Sequence, residues 1–223
     1  MSFANKEIVG LADELIIENH VSGDHLYDWI DIVGITQRPE KLKKSLYFTT
    51  HSDGTDGWHN AFDRRPMAQN VARDKGWHLA VEPGVNVDNH EHFIVSSLIG
   101  LSERLYEFAR TRSNPYVIGV TGSVGKTTTV AFLEHLIRES GVGVTRFWSK
   151  RLTPLLVQCH YINRVDTNTP FIVMEYSAYG KDHVSELAKV LPPNLAFFTN
   201  IYEMHVGQDL FKSEREVCRR GKI

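Results

Sequence analysis

The chain has 223 residues, 42% hydrophobic and 23% charged, a balance that suits a folded protein with a buried core and excludes wholesale disorder. Lys plus Arg number 25 against 27 Asp plus Glu, a formal net charge of −2, so no basic excess marks a nucleic-acid or anionic-membrane partner. Cys159 and Cys218 stand far apart, disfavouring a disulfide scaffold or a structural zinc site, and with no secretory start and no apolar run near ~20 residues the expectation is a soluble cytoplasmic protein.

Ile8, Leu11, Leu15 and Ile16 recur at helical spacing and predict a helix over about residues 4–20. From Trp29 to Pro83 the pattern shortens to strands and loops. Ser45-Leu-Tyr-Phe-Thr49 reads as a strand, followed by the turn-rich His51-Ser-Asp-Gly-Thr-Asp-Gly-Trp-His59. Asp63 with Pro66 opens a helix to about Lys75, and Trp77-His-Leu-Ala-Val81 is a strand ended by Pro83-Gly84. These pieces make a small α/β unit. Phe93, Ile94, Leu98, Leu101, Leu105 and Phe108 predict one amphipathic helix over residues 89–110, its stripe facing the core. His90 and His92 fall at its start as solvated side chains. Thr111-Arg-Ser-Asn-Pro115 breaks the pattern, which divides the chain into domains 1–112 and 113–223.

After Pro115 the reading is β-α-β. Tyr116-Val-Ile-Gly-Val120 is a buried strand, then come a glycine-rich loop and a helix from Thr127 to about Ser140. Val130, Leu133, Leu136 and Ile137 point inward from it. Val142 to Phe147, Phe171-Ile-Val-Met-Glu175 and Leu195-Ala-Phe-Phe-Thr199 are further strands. Their continuous apolar runs predict a parallel sheet covered on both faces. Asp182 is placed to cap a helix carrying Val184, Leu187, Ala188 and Leu191, and Ser213-Glu-Arg-Glu216 is a capping box. The fold class is therefore α/β: a small N-terminal α/β domain followed by a P-loop parallel-sheet domain, incomplete at the C-terminus.

The sharpest chemical signal is Val120-Thr-Gly-Ser-Val-Gly-Lys-Thr-Thr128, between a buried strand and a helix. Gly122 and Gly125 let the loop turn, so that amides of Ser123, Val124, Lys126, Thr127 and Thr128 face phosphate oxygens beside a helix N-terminus. Lys126 reaches the β- and γ-phosphates, and the Thr127 hydroxyl ligates Mg2+. The pattern is shorter than a strict Walker loop, with Val120 where the first glycine stands. Glu175 ends a buried strand, where a carboxylate is expensive without a role, and reads as a metal ligand. Asn200 and His205 follow another apolar strand, and His205 suits a second metal or a phosphate oxygen.

The second half resembles the central ATPase domain of the Mur ligase family. The matching pieces are Thr121-Gly-Ser-Val-Gly-Lys-Thr-Thr128, Val173-Met-Glu175 and Pro193-Asn-Leu-Ala-Phe-Phe-Thr-Asn-Ile-Tyr-Glu-Met-His205, in the family's order. The first half is similar to the N-terminal domain of the tripeptide- and D-alanyl-D-alanine-adding ligases through Thr36-Gln-Arg38, Lys44-Ser-Leu-Tyr-Phe48 and Asp56-Gly-Trp-His-Asn60. The resemblance implies an ATP- and Mg2+-dependent ligase that joins a carboxylate to an amine through an acyl phosphate. It implies Lys126, Glu175 and His205 as catalytic residues, and Thr127, Glu175 and His205 as metal ligands. By the same resemblance Asn200 is a loop-positioning or substrate contact at the nucleotide site. Arg38, Asp56, Gly57 and His59 are the substrate residues, for a UDP-sugar-like ligand.

Three departures accompany the resemblance. The chain stops before the family's C-terminal domain, so a second chain supplying that domain is an expected partner beside the small acid and amine substrates. Arg220 stands where the family has a lysine that is often carbamylated. The carboxylate of the family's Asp-Ser-Arg is absent from Thr36-Gln-Arg38. A nucleotide-binding module without ligase activity of its own therefore stays open as the alternative.

Overall fold

A computed structural model describes residues 2–33, 44–51, 63–149, 152–177 and 182–202. The chain divides into two compact units, Met1–Arg112 with Gln158–Arg164, and Ser113–Val157 with Val165–Ile223. Among the described residues no helix is long and apolar enough to cross a membrane.

In chain order the first unit holds β1 (Phe3–Ala4), α1 (Asn5–Leu11), β2 (Ile16–Asn19), β3 (Leu26–Tyr27), β4 (Trp29–Asp31) and β5 (Ser45–Phe48). A short 3-10 turn (Arg65–Met67) leads into α2 (Ala68–Lys75), then β6 (His78–Val81), β7 (His92–Val95) and α3 (Leu98–Arg112). Five strands form a sheet in the order β2-β7-β6-β5-β4, parallel except for the antiparallel β2. β1 pairs antiparallel with β3.

Two helices expected from periodicity are each part strand. The segment over residues 4–20 is α1 followed by β2, which pairs with β7. The segment over residues 89–110 is β7 followed by α3. Phe93 and Val95 are buried while His92 and Ile94 are partly exposed, the alternation of a half-buried strand. His92 therefore opens a strand, and its ring stacks on His20 with centroids 4.5 Å apart. α3 begins where the Ser97 hydroxyl accepts the Gly100 amide at 3.0 Å. Below the sheet Tyr47, Val71, Trp77, Leu79 and Val81 pack into one apolar cluster. A buried ion pair holds the end of β4: Arg64 donates to the Asp31 carboxylate at 2.9 Å and to the Asp31 carbonyl at 2.7 Å, with its guanidinium 4.0 Å above the Tyr47 ring.

The second unit holds β8 (Tyr116–Thr121), α4 (Lys126–Glu139), β9 (Val144–Phe147), α5 (Pro154–Arg164), β10 (Phe171–Glu175), α6 (His183–Val190) and β11 (Leu195–Phe198). The last residues of α5, Gln158–Arg164, count with the first unit. The four strands are all parallel, in the order β11-β8-β10-β9. Helices connect successive strands, as parallel pairing requires. Val120 and Val173 of the two central strands pack on Val130 of α4, with Leu133 and Ile137 beside them.

Three details depart from expectation. Leu136 lies 49% exposed on the outer face of α4, one position round from the inward stripe. Among the described residues β11 lies at the sheet edge, and Leu195, Phe197 and Phe198 are 42–50% exposed. Asp182 sits at the N-cap of α6, but with φ of 67° its side chain makes no capping bond. The capping box at Ser213–Glu216 lies outside the described residues.

Candidate functional site

β8 and β10 are neighbours in register, with Val120 opposite Glu175, and β11 flanks β8 with Phe198 opposite Thr121. The loop after β8 thus emerges between the ends of two other strands. That crevice at strand C-termini is where parallel sheets collect ligand-binding residues. Thr121 closes the strand pair by donating its hydroxyl to the Tyr176 carbonyl at 2.9 Å.

The loop residues Gly122, Ser123, Val124 and Gly125 lead into Lys126, the first residue of α4. Gly122 has a φ of 132°, and a Cβ there would stand 2.2 Å from the Thr199 hydroxyl and 2.9 Å from the Asn200 carbonyl. The glycine is required both by conformation and by this close approach. Gly125 caps the helix at φ 88°. The first intrahelical bond runs from the Thr129 amide to the Gly125 carbonyl at 2.9 Å. The amides of Lys126, Thr127 and Thr128 precede it, so the helix itself offers them no acceptor. They point an array of N–H groups and the positive end of the helix dipole out of the helix start.

The other half of the loop is clasped by the segment after β11. Asn200 accepts the Ser123 amide on its carbonyl at 2.9 Å and the Val124 amide on its side-chain oxygen at 2.9 Å. Its side-chain nitrogen donates back to the Val124 carbonyl at 3.0 Å, which Thr199 also reaches with its hydroxyl at 2.8 Å. The Tyr202 amide donates to the Ser123 hydroxyl at 2.9 Å. Ser123 and Val124 therefore spend their amides on holding the loop's shape, while the helix start keeps its own. Lys126 turns its ammonium back onto the Gly122 and Ser123 carbonyls at 2.8 and 3.2 Å.

Glu175 is 4% exposed. One carboxylate oxygen accepts the Thr127 hydroxyl at 2.7 Å and the other accepts the Ser177 hydroxyl at 2.9 Å. A hydroxyl and a buried carboxylate in contact beside a helix N-terminus are hard oxygen donors, the set that suits Mg2+. The structure thus brings together Gly122, Ser123, Val124, Gly125, Lys126, Thr127, Thr128, Glu175 and Asn200. His205, Arg38, Asp56, Gly57 and His59 lie outside the described residues.

Sequence reading passed over Ser177, Thr199 and Tyr202. The signal for Ser177 was its place two residues beyond a buried strand-end carboxylate. Thr199 and Tyr202 carry no such mark, because their contacts depend on β11 pairing with β8.

Residues 120–219 match the family model described as Mur ligase middle domain. A UDP-N-acetylmuramoylalanine–D-glutamate ligase of Roseobacter denitrificans is 33% identical over 133 residues, covering 58% of this chain and 25% of that protein. A UDP-N-acetylmuramoyl-tripeptide–D-alanyl-D-alanine ligase of Rickettsia prowazekii is 27% identical over 167 residues, covering 74% and 34%. Among solved structures, MurF of Acinetobacter baumannii superposes with a TM-score of 0.71 at 17% identity, over 99% of this chain and 45% of that one. MurF of Thermotoga maritima in complex with ADP gives 0.59 at 21%, over 80% and 39%. The chain spans between a quarter and a half of the length of these proteins.

Proposed function

We propose that this chain, which belongs to the Mur ligase family, binds ATP at the loop after β8 and carries the phosphoryl-transfer part of an amide-forming ligase. The observation that carries the reading is the contact of Thr127 with Glu175 beside the amides that open α4.

The reaction proceeds in two balanced steps. A substrate carboxylate oxygen attacks the γ-phosphorus of ATP, the bond to the β-phosphate oxygen breaks, and ADP leaves an acyl phosphate behind. An amine then attacks the acyl carbon, the C–O bond to phosphate breaks, and the amine proton is released with the formation of an amide. In the first step the α4 amides and dipole hold the phosphates and offset charge on the transferred group. Lys126 exchanges its loop carbonyls for phosphate oxygens, which places a cation where negative charge moves. Thr127 and Glu175 would hold Mg2+, with His205 as a further ligand by family pattern. The bound cation supplies charge neutralisation at the phosphates. Ser177 fixes the Glu175 carboxylate so that one oxygen stays turned toward Thr127.

The relatives are named for substrates that carry a UDP-N-acetylmuramoyl group. A UDP-sugar-like acid, recognised by the first unit through Arg38, Asp56, Gly57 and His59, is the corresponding substrate here, with a small amine as the second. The reading is tested by phosphate release from ATP by the chain with a complementing C-terminal domain. Release must require both an acid and an amine and must vanish in Lys126→Ala. Turnover without either substrate would point to a simple ATPase instead. A specific observation favours a second reading: Arg220 stands where the family has a lysine that is often carbamylated, and an arginine cannot be carbamylated. Under that reading nucleotide binds, but no substrate mixture gives turnover.

A further inference from the structure

The first unit contains a second cluster of ligating side chains, separate from the nucleotide loop. His25 precedes β3, His78 opens β6 and Glu91 precedes β7. β6 and β7 are paired, with Leu79 opposite His92, so His78 and Glu91 are brought together at the N-terminal ends of neighbouring strands. The His25 and His78 rings meet edge to face, 4.6 Å between centroids. One donor atom from each of the three residues lies within 4.8 Å of the others.

We propose that His25, His78 and Glu91 form a binding site for a divalent transition-metal ion, zinc foremost, that clips the segment before β3 to the starts of β6 and β7. Two imidazole nitrogens and one carboxylate oxygen are a borderline-soft donor set, which suits zinc and its neighbours and not Mg2+ or Ca2+. The fourth position falls to water. Bonds of ~2.0–2.1 Å in a tetrahedral shell put donors roughly 3.3 Å apart. Glu91 Oε2 lies 2.6 Å from His78 Nε2 and 3.7 Å from His25 Nε2, within about 0.7 Å of that spacing, and all three donor atoms lie within 4.8 Å of one another.

The surroundings orient these ligands. The Tyr27 hydroxyl lies 2.8 Å from His78 Nδ1 and fixes its ring, leaving Nε2 toward Glu91. The Ser22 amide donates to Glu91 Oε1 at 3.0 Å, and the Ser22 hydroxyl bonds the same oxygen, which leaves Oε2 for the metal. Such outer partners set ligand geometry and basicity. Burial holds His78 well below the usual imidazole range, at about 4, and the Ser22 contacts hold Glu91 down at about 2. One contact opposes the metal. Lys44 donates to His25 Nδ1 at 2.9 Å, and it must leave when Nε2 ligates and Nδ1 carries the proton. Lys44 therefore weakens the site, and its removal strengthens it.

The test is titration of the full 223-residue chain with Co2+, then with Zn2+ by competition, under excess Mg2+ that fills hard-oxygen sites. The expected result is one equivalent of Co2+ with the strong visible absorption of a four-coordinate site, and a melting temperature that rises with Zn2+. Glu91→Gln and His25→Ala each weaken binding at least ~100-fold, beyond the ~10–100-fold typical of an outer partner. Lys44→Gln tightens it. His20→Ala, which breaks the nearby stacked histidine pair, changes it by less than about twofold. His25 is partly exposed, so its variant still reports if Glu91→Gln fails to fold. Absence of a stoichiometric site overturns the proposal, as does binding that survives both ligand variants or is lost in His20→Ala. None of these outcomes depends on nucleotide binding.

Discussion

Asn200→Ala separates the shape of the loop after β8 from its proposed chemistry. The substitution keeps the backbone bond from the Ser123 amide to the residue 200 carbonyl and removes two side-chain bonds, at 2.9 and 3.0 Å, that bracket the Val124 peptide. Each such bond is worth ~0.5–1.5 kcal/mol net, and both are solvent-exposed, so the loss is about 1–2 kcal/mol. Bonds from Thr199 and Tyr202 remain, and the strand pairing of β8 with β11 is untouched. The loss therefore falls on loop order and not on the fold. If nucleotide binding must restore that order, affinity drops by roughly 5–30-fold, since 1.4 kcal/mol is a factor of ten. The assay is titration with a fluorescent ATP analogue, alongside urea unfolding of the same variant. Asn200→Asp is the companion: it keeps an acceptor for the Val124 amide but sets a carboxylate oxygen against the Val124 carbonyl, and affinity falls further. Unchanged affinity in Asn200→Ala at unchanged stability would refute the idea that the segment after β11 shapes the phosphate site.

Three other outcomes follow from the same structure. Glu175→Gln replaces a buried carboxylate by a near-isostere that still meets the Thr127 and Ser177 hydroxyls, so stability shifts by less than ~1 kcal/mol while the Mg2+ dependence of nucleotide binding disappears; a retained Mg2+ dependence would remove Glu175 from the cation site. Asp31→Ala leaves the Arg64 guanidinium buried without its carboxylate and destabilises the first unit by ~3–5 kcal/mol in urea unfolding, whereas Asp31→Asn keeps the acceptor and costs less. His160 is buried, and desolvation, with Arg164 nearby, lowers it to about 3. Its folded value lies below the unfolded ~6.5, so it leaves stability unaffected above pH ~6.5 and reduces it as pH falls from there toward 3, by up to ~1.4 kcal/mol per pH unit. His160→Gln should flatten the slope of unfolding free energy between pH 6 and 4, and an unchanged slope would exclude His160 as its source.

How much of this was legible in the sequence varied with how local the cause was. The turn from β8 into α4 was readable because its requirements are local: glycines at 122 and 125, then Lys126 and Thr127 at a helix start. β8 and β10 were readable because strands buried in a parallel sheet are apolar throughout. β2 and β7 were hidden because Leu15 and Ile16, like Phe93 and Ile94, fall in phase with the apolar stripe of an adjoining helix. Only pairing in the sheet, of β2 with β7 and of β7 with β6, makes them strands. Ser97, a ready N-cap just before Leu98, was the overlooked mark of where α3 begins. The edge position that β11 takes among the described residues could not be read, since an apolar run does not tell a central strand from an edge. The Glu175–Thr127 contact was legible in kind, but the His25, His78 and Glu91 cluster was not. Its members come from three separate segments that only the sheet brings together.

The central claim is that the loop after β8 binds ATP together with a divalent cation. Isothermal titration of the intact chain with ATP, with and without Mg2+, tests it most directly, with Lys126→Ala in parallel. The account predicts one saturable site that Mg2+ tightens, abolished in Lys126→Ala with unfolding unchanged. Nucleotide binding indifferent to both Mg2+ and Lys126, or no saturable binding at millimolar ATP, would contradict it.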